Sequence, residues 1–478
     1  METIKTSNDF KMKYTFLKTI LFTFTLSFIF SNNAFAQFKD KTTVVGWVTD
    51  ANNNPLDGVT IKANGEGAKT KADGKFELIL HKSHSKKLEL RISKLGFKEQ
   101  KIKINTSKLA KDLKIQLVSD GNKLAKYQIE KVSIEPEVLS VMKEKWGESF
   151  IHAQYPKQFL NNIITLKPGD DVQTAIDKAH ESGGGIVYLT EGIHTTDNLK
   201  IKSKVTLCGA GRSKTILKHT GKGHFIDQAE QKLTDIVFKD ITLQGGEYTK
   251  SGLNLRGQND DRHERFMWQN VNVTGINSHG IGISRVNHII MDNSHFQHNG
   301  IKGSLHHNVY FLFVSYVLQS DCDMSNPVEG KSNKYTSTSH LLTQRCVMKN
   351  GKGNGIQADN DQGGYLFFHK HHLSGFARVA MWFPCEEYYN KFQYTEDPKW
   401  VPQNVILNRC EVINNGYGAM WRIVRGKSNV INSYFDNEKI DMGLLKCNVK
   451  MDKNSVFKKG NEFYEDVKEW PKDLKLLG

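Results

Sequence analysis

Two imidazoles, an amide and a phenol lie within five positions at His306, His307, Asn308 and Tyr310, in the stretch GSLHHNVYFLF (303–313). A histidine beside a tyrosine suits proton transfer, because their reference pKa values of roughly 6.5 and 10 bracket the work of a base and an acid. Later stretches add Lys331 (in NPVEGKSNKY) and Gln357 with Asp359 (in NGIQADNDQGGY). Arg256 and Arg422 carry guanidinium groups, which grip planar oxyanions with paired donors. Trp382 offers a flat face for stacking, and His279 opens another short apolar stretch, HGIGIS. Removing a proton beside a carboxylate needs such a set: cations or amides to neutralise the carboxylate, then a base, then an acid. His307, Tyr310 and Lys331 are therefore the catalytic candidates. Arg256, His279, Asn308, Gln357, Asp359, Trp382 and Arg422 are the binding candidates. Each has a plainer reading: a turn histidine, a packed tyrosine, a surface lysine.

Residues so far apart in the chain need a scaffold that brings them together, and the sequence repeats. DIVFKDITL (235–243), RFMWQNVNV (265–273), HIIMDNSHF (288–296), YVLQSDCDM (316–324), HLLTQRCVM (340–348), YLFFHKHHL (365–373) and NVILNRCEV (404–412) share one pattern. Their ninth positions, Leu243, Val273, Phe296, Met324, Met348, Leu373 and Val412, form an apolar column. One coil cannot bury such a column, whereas stacked coils can, so the repeat predicts a solenoid. Second strands follow in SGLNLR, HGIGIS, NGIKGS, NGIQAD, ARVAMW and YGAMWR. Alternation along them predicts two outward columns. One holds Asn254, Gly282, Lys302, Gln357 and Met420; the other holds Arg256, Ser284, Ser304, Asp359, Trp382 and Arg422. Cys322, Cys346 and Cys410 share one repeat position, which predicts buried free thiols in place of bridges.

Ahead of the repeats stands KPGDDVQTAIDKAHESGGGIVYLTEGIHTTDNLKIKSKVTLCGAG. Val172, Ala175, Ile176 and Ala179 fall at helical spacing, and Gly183–Gly185 stop that helix. The helix, the glycine stop, VYLTEG and TLCGAG, in that order, resemble the amino-terminal cap of the pectate lyase-like superfamily. That resemblance implies an all-β fold, a right-handed parallel β-helix with an N-terminal helical cap, over residues 161–465. The succession His307-Asn308-x-Tyr310, Gly330-Lys331-Ser332 and Asp359 with Gly363-Gly364 is also similar to a pattern in a group of bacterial β-helix proteins. There an arginine follows the lysine-serine pair, where this chain has Asn333-Lys334.

Residues 43–118 alternate as short half-buried strands punctuated by Asn, Gly, Asp and Pro. The order G-x-V-x-D, P-L-x-G-V-x-I, T-x-A-D-G-x-F resembles the carboxypeptidase regulatory-like domain, a transthyretin-like β-sandwich. It implies a spacer or docking role. Residues 119–160 read as a polar linker with a short helix at PEVLSVMKEKW. The first 36 residues combine lysines, the apolar core TILFTFTLSFIF and a small-residue site after Ala36, the marks of a signal peptide. That core is too short to span a bilayer, which takes about 20 residues. An exported protein, periplasmic or secreted, with no membrane insertion and a monomeric state, is expected.

The chain of 478 residues carries 66 Lys and Arg against 51 Asp and Glu, a formal net charge of +15. An anionic partner follows. Nucleic acid is disfavoured, since no basic helix or arm is present, so an anionic polysaccharide or oligosaccharide is expected. The chemistry that fits is β-elimination on a uronic acid, by a carbon-oxygen lyase acting as polysaccharide lyase or terminal uronate dehydratase. Asp323, Asp359 and Asp361 keep a glycoside hydrolase as an alternative, since hydrolysis needs two carboxyls about 5–9 Å apart. A non-catalytic polysaccharide-binding protein is the other. The acidic clusters NDD (259–261), Asp321 with Asp323, and DND (359–361) offer oxygen ligands suited to Ca²⁺. No metal site is assigned, and His371-His372 does not read as a zinc pair.

Overall fold

A computed structural model of the chain describes residues 41–81, 87–105, 112–146, 155–303, 305–359, 364–384, 403–422, 426–445, 447–465, 469–471 and 474. The leader, Ser304, Asp361, Gly363 and the insertion 385–402 lie outside the described residues.

The front of the chain is a sandwich of two small sheets. Lys41–Thr49 pairs antiparallel with Lys75–His81 and parallel with Leu113–Gln116, while Glu66–Lys69, Thr60–Ala63, Lys87–Ser93 and Gln100–Asn105 form the second sheet. Alternation decides the packing. In Lys87–Ser93, Leu88, Leu90 and Ile92 are buried while the lysine, glutamate and arginine between them face water. The inward set joins Val44, Val48, Ile61, Phe76 and Leu78 in one core.

A short helix, Val172–Glu181, then plugs the solenoid. Asp171 caps it by accepting from the backbone N–H groups of Gln173 and Thr174, and Val172, Ala175, Ile176 and Ala179 are buried. Gly183 and Gly184 turn the chain into the strand Gly185–Leu189 with φ of 85° and 129°, a region that side-chain-bearing residues avoid.

From there the chain winds as a right-handed parallel β-helix. One long parallel sheet runs from Ile163–Leu166 through Glu264–Thr274, Tyr316–Ser320 and Gln403–Asn408 to Asn448–Met451. A second, of 11 strands, runs from Leu199–Ile201 to Asn461–Tyr464, and a third of five strands completes the later coils. The apolar column closes in register, Leu243 against Val273 against Phe296, then Met348 against Leu373 against Val412. These residues sit in the central core with Cys322, Cys346 and Cys410, and the five described cysteines are free.

The segment after the sandwich is more than a polar tether. It holds the helix Pro136–Trp146, and Val132 and Val138 pack onto the outer face of the first sheet, against Val237, Met267, Ile290, Leu318, Leu342, Phe367 and Ile406. Sandwich and segment are pinned to that face by ion pairs. Lys69 meets Asp292 at 2.7 Å, Arg212 meets Asp57 at 2.9 Å, and Arg345 meets both Glu135 (3.0 Å) and Asp321 (2.7 Å). Lys370 joins Glu66 and Glu135, and His369 Nε2 lies 3.0 Å from Glu135.

Candidate functional site

The second sheet fixes the site by register. Its first outward column reads Lys200, Asp227, Asn254, Gly282, Tyr310, Lys334, Gln357, Trp382 and Met420. Two expectations are corrected here. NGIKGS is not a strand: Ile301, Lys302 and Leu305 are exposed and lie outside any strand, and VYFL (309–312) is the strand that stacks. Tyr310 therefore takes the place expected for Lys302, and the strand Asn333–Thr336, absent from the expected second strands, supplies Lys334. Trp382 belongs to this column, not to that of Asp359. The second column runs Arg256, Ser284, Leu312, Thr336 and Asp359.

Around Tyr310 the aromatic and titratable groups converge. The His279 ring lies 5.0 Å from that of Tyr310 and 5.1 Å from that of His307, and His307 lies 5.8 Å from Tyr310. Lys334 Nζ stands 5.8 Å over the Tyr310 ring and 3.7 Å from the Asp359 carboxylate. Gly330 makes the arrangement possible: a Cβ there would fall 1.4 Å from the His306 carbonyl oxygen. That close approach brings the Lys331 backbone N–H to within 3.2 Å of His307 Nδ1, which accepts it. The His307 backbone N–H donates in turn to His279 Nδ1, also at 3.2 Å. With both Nδ1 atoms accepting, the neutral rings carry their hydrogens on Nε2.

Burial and neighbouring cations keep both imidazoles uncharged. Burial holds His307 well below the ordinary histidine range, and Lys331, His279 and Lys334 add to the effect. His279 is pushed down to about 3 by burial, with His306, Lys334 and Arg256 contributing. The positive charge of the site thus comes from its lysines. Burial, with help from Lys334 and against the pull of Asp359, lowers Lys331 to about 8. The Asp359 carboxyl is pushed up by burial against the pull of Lys334 and Lys331. Gln357 Oε1 and Asp359 Oδ1 are buried and have no hydrogen-bond partner among the described residues. Unmet acceptors of this kind cost about 1–3 kcal/mol each, which a ligand donor would relieve.

Four candidates from the sequence fare differently. Arg256 is exposed on the second column and close enough to bear on His279. Asn308 is not a ligand group: it is fully buried, its Oδ1 accepting from Asn299 and its Nδ2 donating to the Met324 and Ser325 carbonyls. It belongs to the turn. Trp382 points outward, yet it is 1% exposed because Trp470 covers it, ring centroids 5.7 Å apart, so it has no face free for stacking. Arg422 is in register with Pro384, on the strand that carries Met420 and several rungs along the sheet from Tyr310.

The acidic groups suggested for Ca²⁺ are largely occupied. Asp261 pairs with Lys232 at 2.8 Å, Asp321 with Arg345, and Asp323 accepts the Ser325 backbone N–H. Among the described residues no group of three or more His, Cys, Asp or Glu could hold a metal ion. His371 lies in the lumen against Thr343, turned away from the solvent.

Comparison with known proteins bears on both halves of the chain. Residues 44–129 match the CarboxypepD_reg-like domain. Alginate lyase 7 of Azotobacter vinelandii is 34% identical over 100 residues, 19% of this chain and 11% of that protein. Mannuronan C5-epimerase AlgE4 of the same organism is 33% identical over 101 residues, 17% of each chain. The chain thus spans well under a fifth of the length of these curated relatives. Among solved structures, the A-module of that epimerase aligns with a TM-score of 0.42 and 16% identity, over 59% of this chain and 79% of the module. A Yersinia enterocolitica family 28 exopolygalacturonase aligns at 0.38 and 11%, over 86% and 94%. A CarboxypepD_reg-like sandwich in front of a parallel β-helix describes the whole.

Proposed function

We propose that this protein is an exported carbon-oxygen lyase that cleaves or dehydrates uronic-acid-containing polysaccharides or oligosaccharides by β-elimination. The carrying observation is the cluster on the second sheet, where two neutral imidazoles and Lys334 surround the Tyr310 phenol and Lys331 lies beside His307. The alginate lyase and the mannuronan epimerases that match in part carry names for chemistry at a uronate, and alginate is the first polymer to try.

In a uronate the C5 hydrogen is acidic only once the adjacent carboxylate is neutralised. Lys331 and Lys334 are the cations for that task, and the Gln357 amide faces the same space. Tyr310 takes the C5 proton, and the ammonium of Lys334 over its ring favours the phenolate. As the C4–O bond breaks and the C4=C5 bond forms, the Tyr310 hydroxyl returns that proton to the departing oxygen. His307 and His279 act as hydrogen-bond donors through Nε2. His307 is a poor base, since its Nδ1 lone pair is taken by the Lys331 N–H. Lysine and arginine around the groove hold further carboxylates of the sugar chain.

C5 epimerisation is the second reading, favoured by the names of most of the matching relatives. It shares the proton abstraction and differs in the fate of the carbanion. Hydrolysis fits less well: Asp323 lies beside His295 and Val347, off the second sheet, and Asp359 faces a lysine. Incubation with alginate, ulvan and pectin-like uronates separates the cases. Elimination yields a 4,5-unsaturated uronate absorbing in the near ultraviolet; epimerisation in deuterated water incorporates deuterium at C5 without absorbance; hydrolysis yields new reducing ends alone.

A further inference from the structure

The outward column of the second sheet changes character along its length. Lys200 is exposed, and Asp227, Asn254, Gly282, Tyr310 and Lys334 are half-buried. Gln357 is then 3% exposed, Trp382 1% and Met420 0%. The switch has a visible cause. The end of the chain folds back over the last coils, and Trp470 and Leu474 are buried against Val379, Trp382, Tyr417, Met420 and Leu445. Trp470 touches Trp382 at 5.7 Å and Tyr464 at 5.1 Å between ring centroids. Neighbouring rungs of a sheet are about 4.8 Å apart, so Trp382 begins a wall one rung beyond Gln357. On the other side Gly282 leaves the floor low, since a Cβ there would meet nothing closer than 3.5 Å, and the polar rungs continue to Lys200.

We propose that the groove is blind at Trp382 and that the protein acts on chain ends, one terminal sugar lodging against Lys334 and Gln357 while the rest of the chain runs over Gly282 toward Lys200. The proposal rests on the uronide reading above. It adds directionality and a specificity-determining element, the C-terminal cover. A groove open at both ends admits a polymer anywhere along its length, whereas a blind one admits one terminus. Gln357, 3% exposed, sits at the foot of that wall, one rung from Lys334.

The test uses alginate hexasaccharides and the Tyr310→Phe protein, so that ligand is not consumed. Three ligands are compared by calorimetry: untagged, with a bulky fluorophore at the reducing end, and with the same fluorophore at the other end. A blind groove loses affinity about a hundredfold or more for one tagged isomer and little for the other, because the tag must pass through the wall. Equal tolerance of both tags overturns the blind groove while leaving the uronide reading intact. Absence of binding by any alginate, ulvan or pectin-like oligosaccharide overturns that reading and the inference with it. Trp470→Ala should restore at least about tenfold of the lost affinity for the excluded isomer. Since that variant can lose stability, Gly282→Trp is the independent check: it should weaken hexasaccharide binding while sparing the disaccharide. Equal weakening of both would contradict a chain path over Gly282.

Discussion

The two long sheets of the β-helix are built on one ladder geometry but meet their surroundings in opposite ways. The first sheet turns an apolar column outward, Val237, Met267, Ile290, Leu318, Leu342, Phe367 and Ile406, and the chain covers it with its own 129–138 segment, while the sandwich is held to the same face by ion pairs. The second turns outward Asn254, Gly282, Tyr310 and Lys334, and the described chain leaves them only half-buried. Charges differ in the same sense. On the first face each buried ion has close partners, as Glu135 has in Arg345, His369 and Lys370. On the second, Lys334 pairs with Asp359 beside Lys331, and Tyr310 and both lysines keep part of their surface in solvent. A titratable cluster closed under the chain's own packing is structural, and one left partly open to solvent is a candidate for ligand binding.

The largest expected effect tests the open face. Tyr310→Phe should lower turnover by about 10²–10⁴-fold, the usual worth of a positioned acid–base group, with no change in melting temperature. Lys334→Met should lower kcat/KM by about 10²–10³-fold through lost charge stabilisation, read on the same substrate. Changes on the covered face should do the reverse. Glu135→Ala strands Arg345 and Lys370 without a shared carboxylate and should destabilise by about 3–5 kcal/mol in denaturant melts, while the folded fraction keeps its turnover. Asn308→Ala, in the turn, should cost about 1–3 kcal/mol of stability and leave KM unchanged. An altered KM there would return Asn308 to the binding set.

The smallest effect is a pH dependence. Lys331 titrates near 8. If its cation neutralises the substrate carboxylate, activity is full below that value and is lost as pH rises through it, about tenfold per unit. A rate that climbs through pH 8 would instead make Lys331 the base.

Much of the scaffold was legible because stacked coils write their demand into the sequence: the ninth-position column and the capping helix need particular apolar residues at fixed spacing. The covered face was also written there, in runs such as FMW, IIM and LFF that are apolar on both alternate faces, a sign of burial on both sides. The site was harder to read. NGIKGS mimics a strand by composition, yet the loop through Leu305 to His307 displaces it and hides the place of Tyr310; Lys334 and Trp382 were obscured separately, by the unmarked strand Asn333–Thr336 and by the register of ARVAMW. The cover on Trp382 could not be read locally, because Trp470 comes from the far end of the chain.

Absorbance in the near ultraviolet during incubation with alginate and other uronides, for the native protein and Tyr310→Phe side by side, addresses the open face most directly. The account predicts a steady rise for the native protein and almost none for the variant, with both equally folded. Product release without absorbance, or an unimpaired variant, would contradict it.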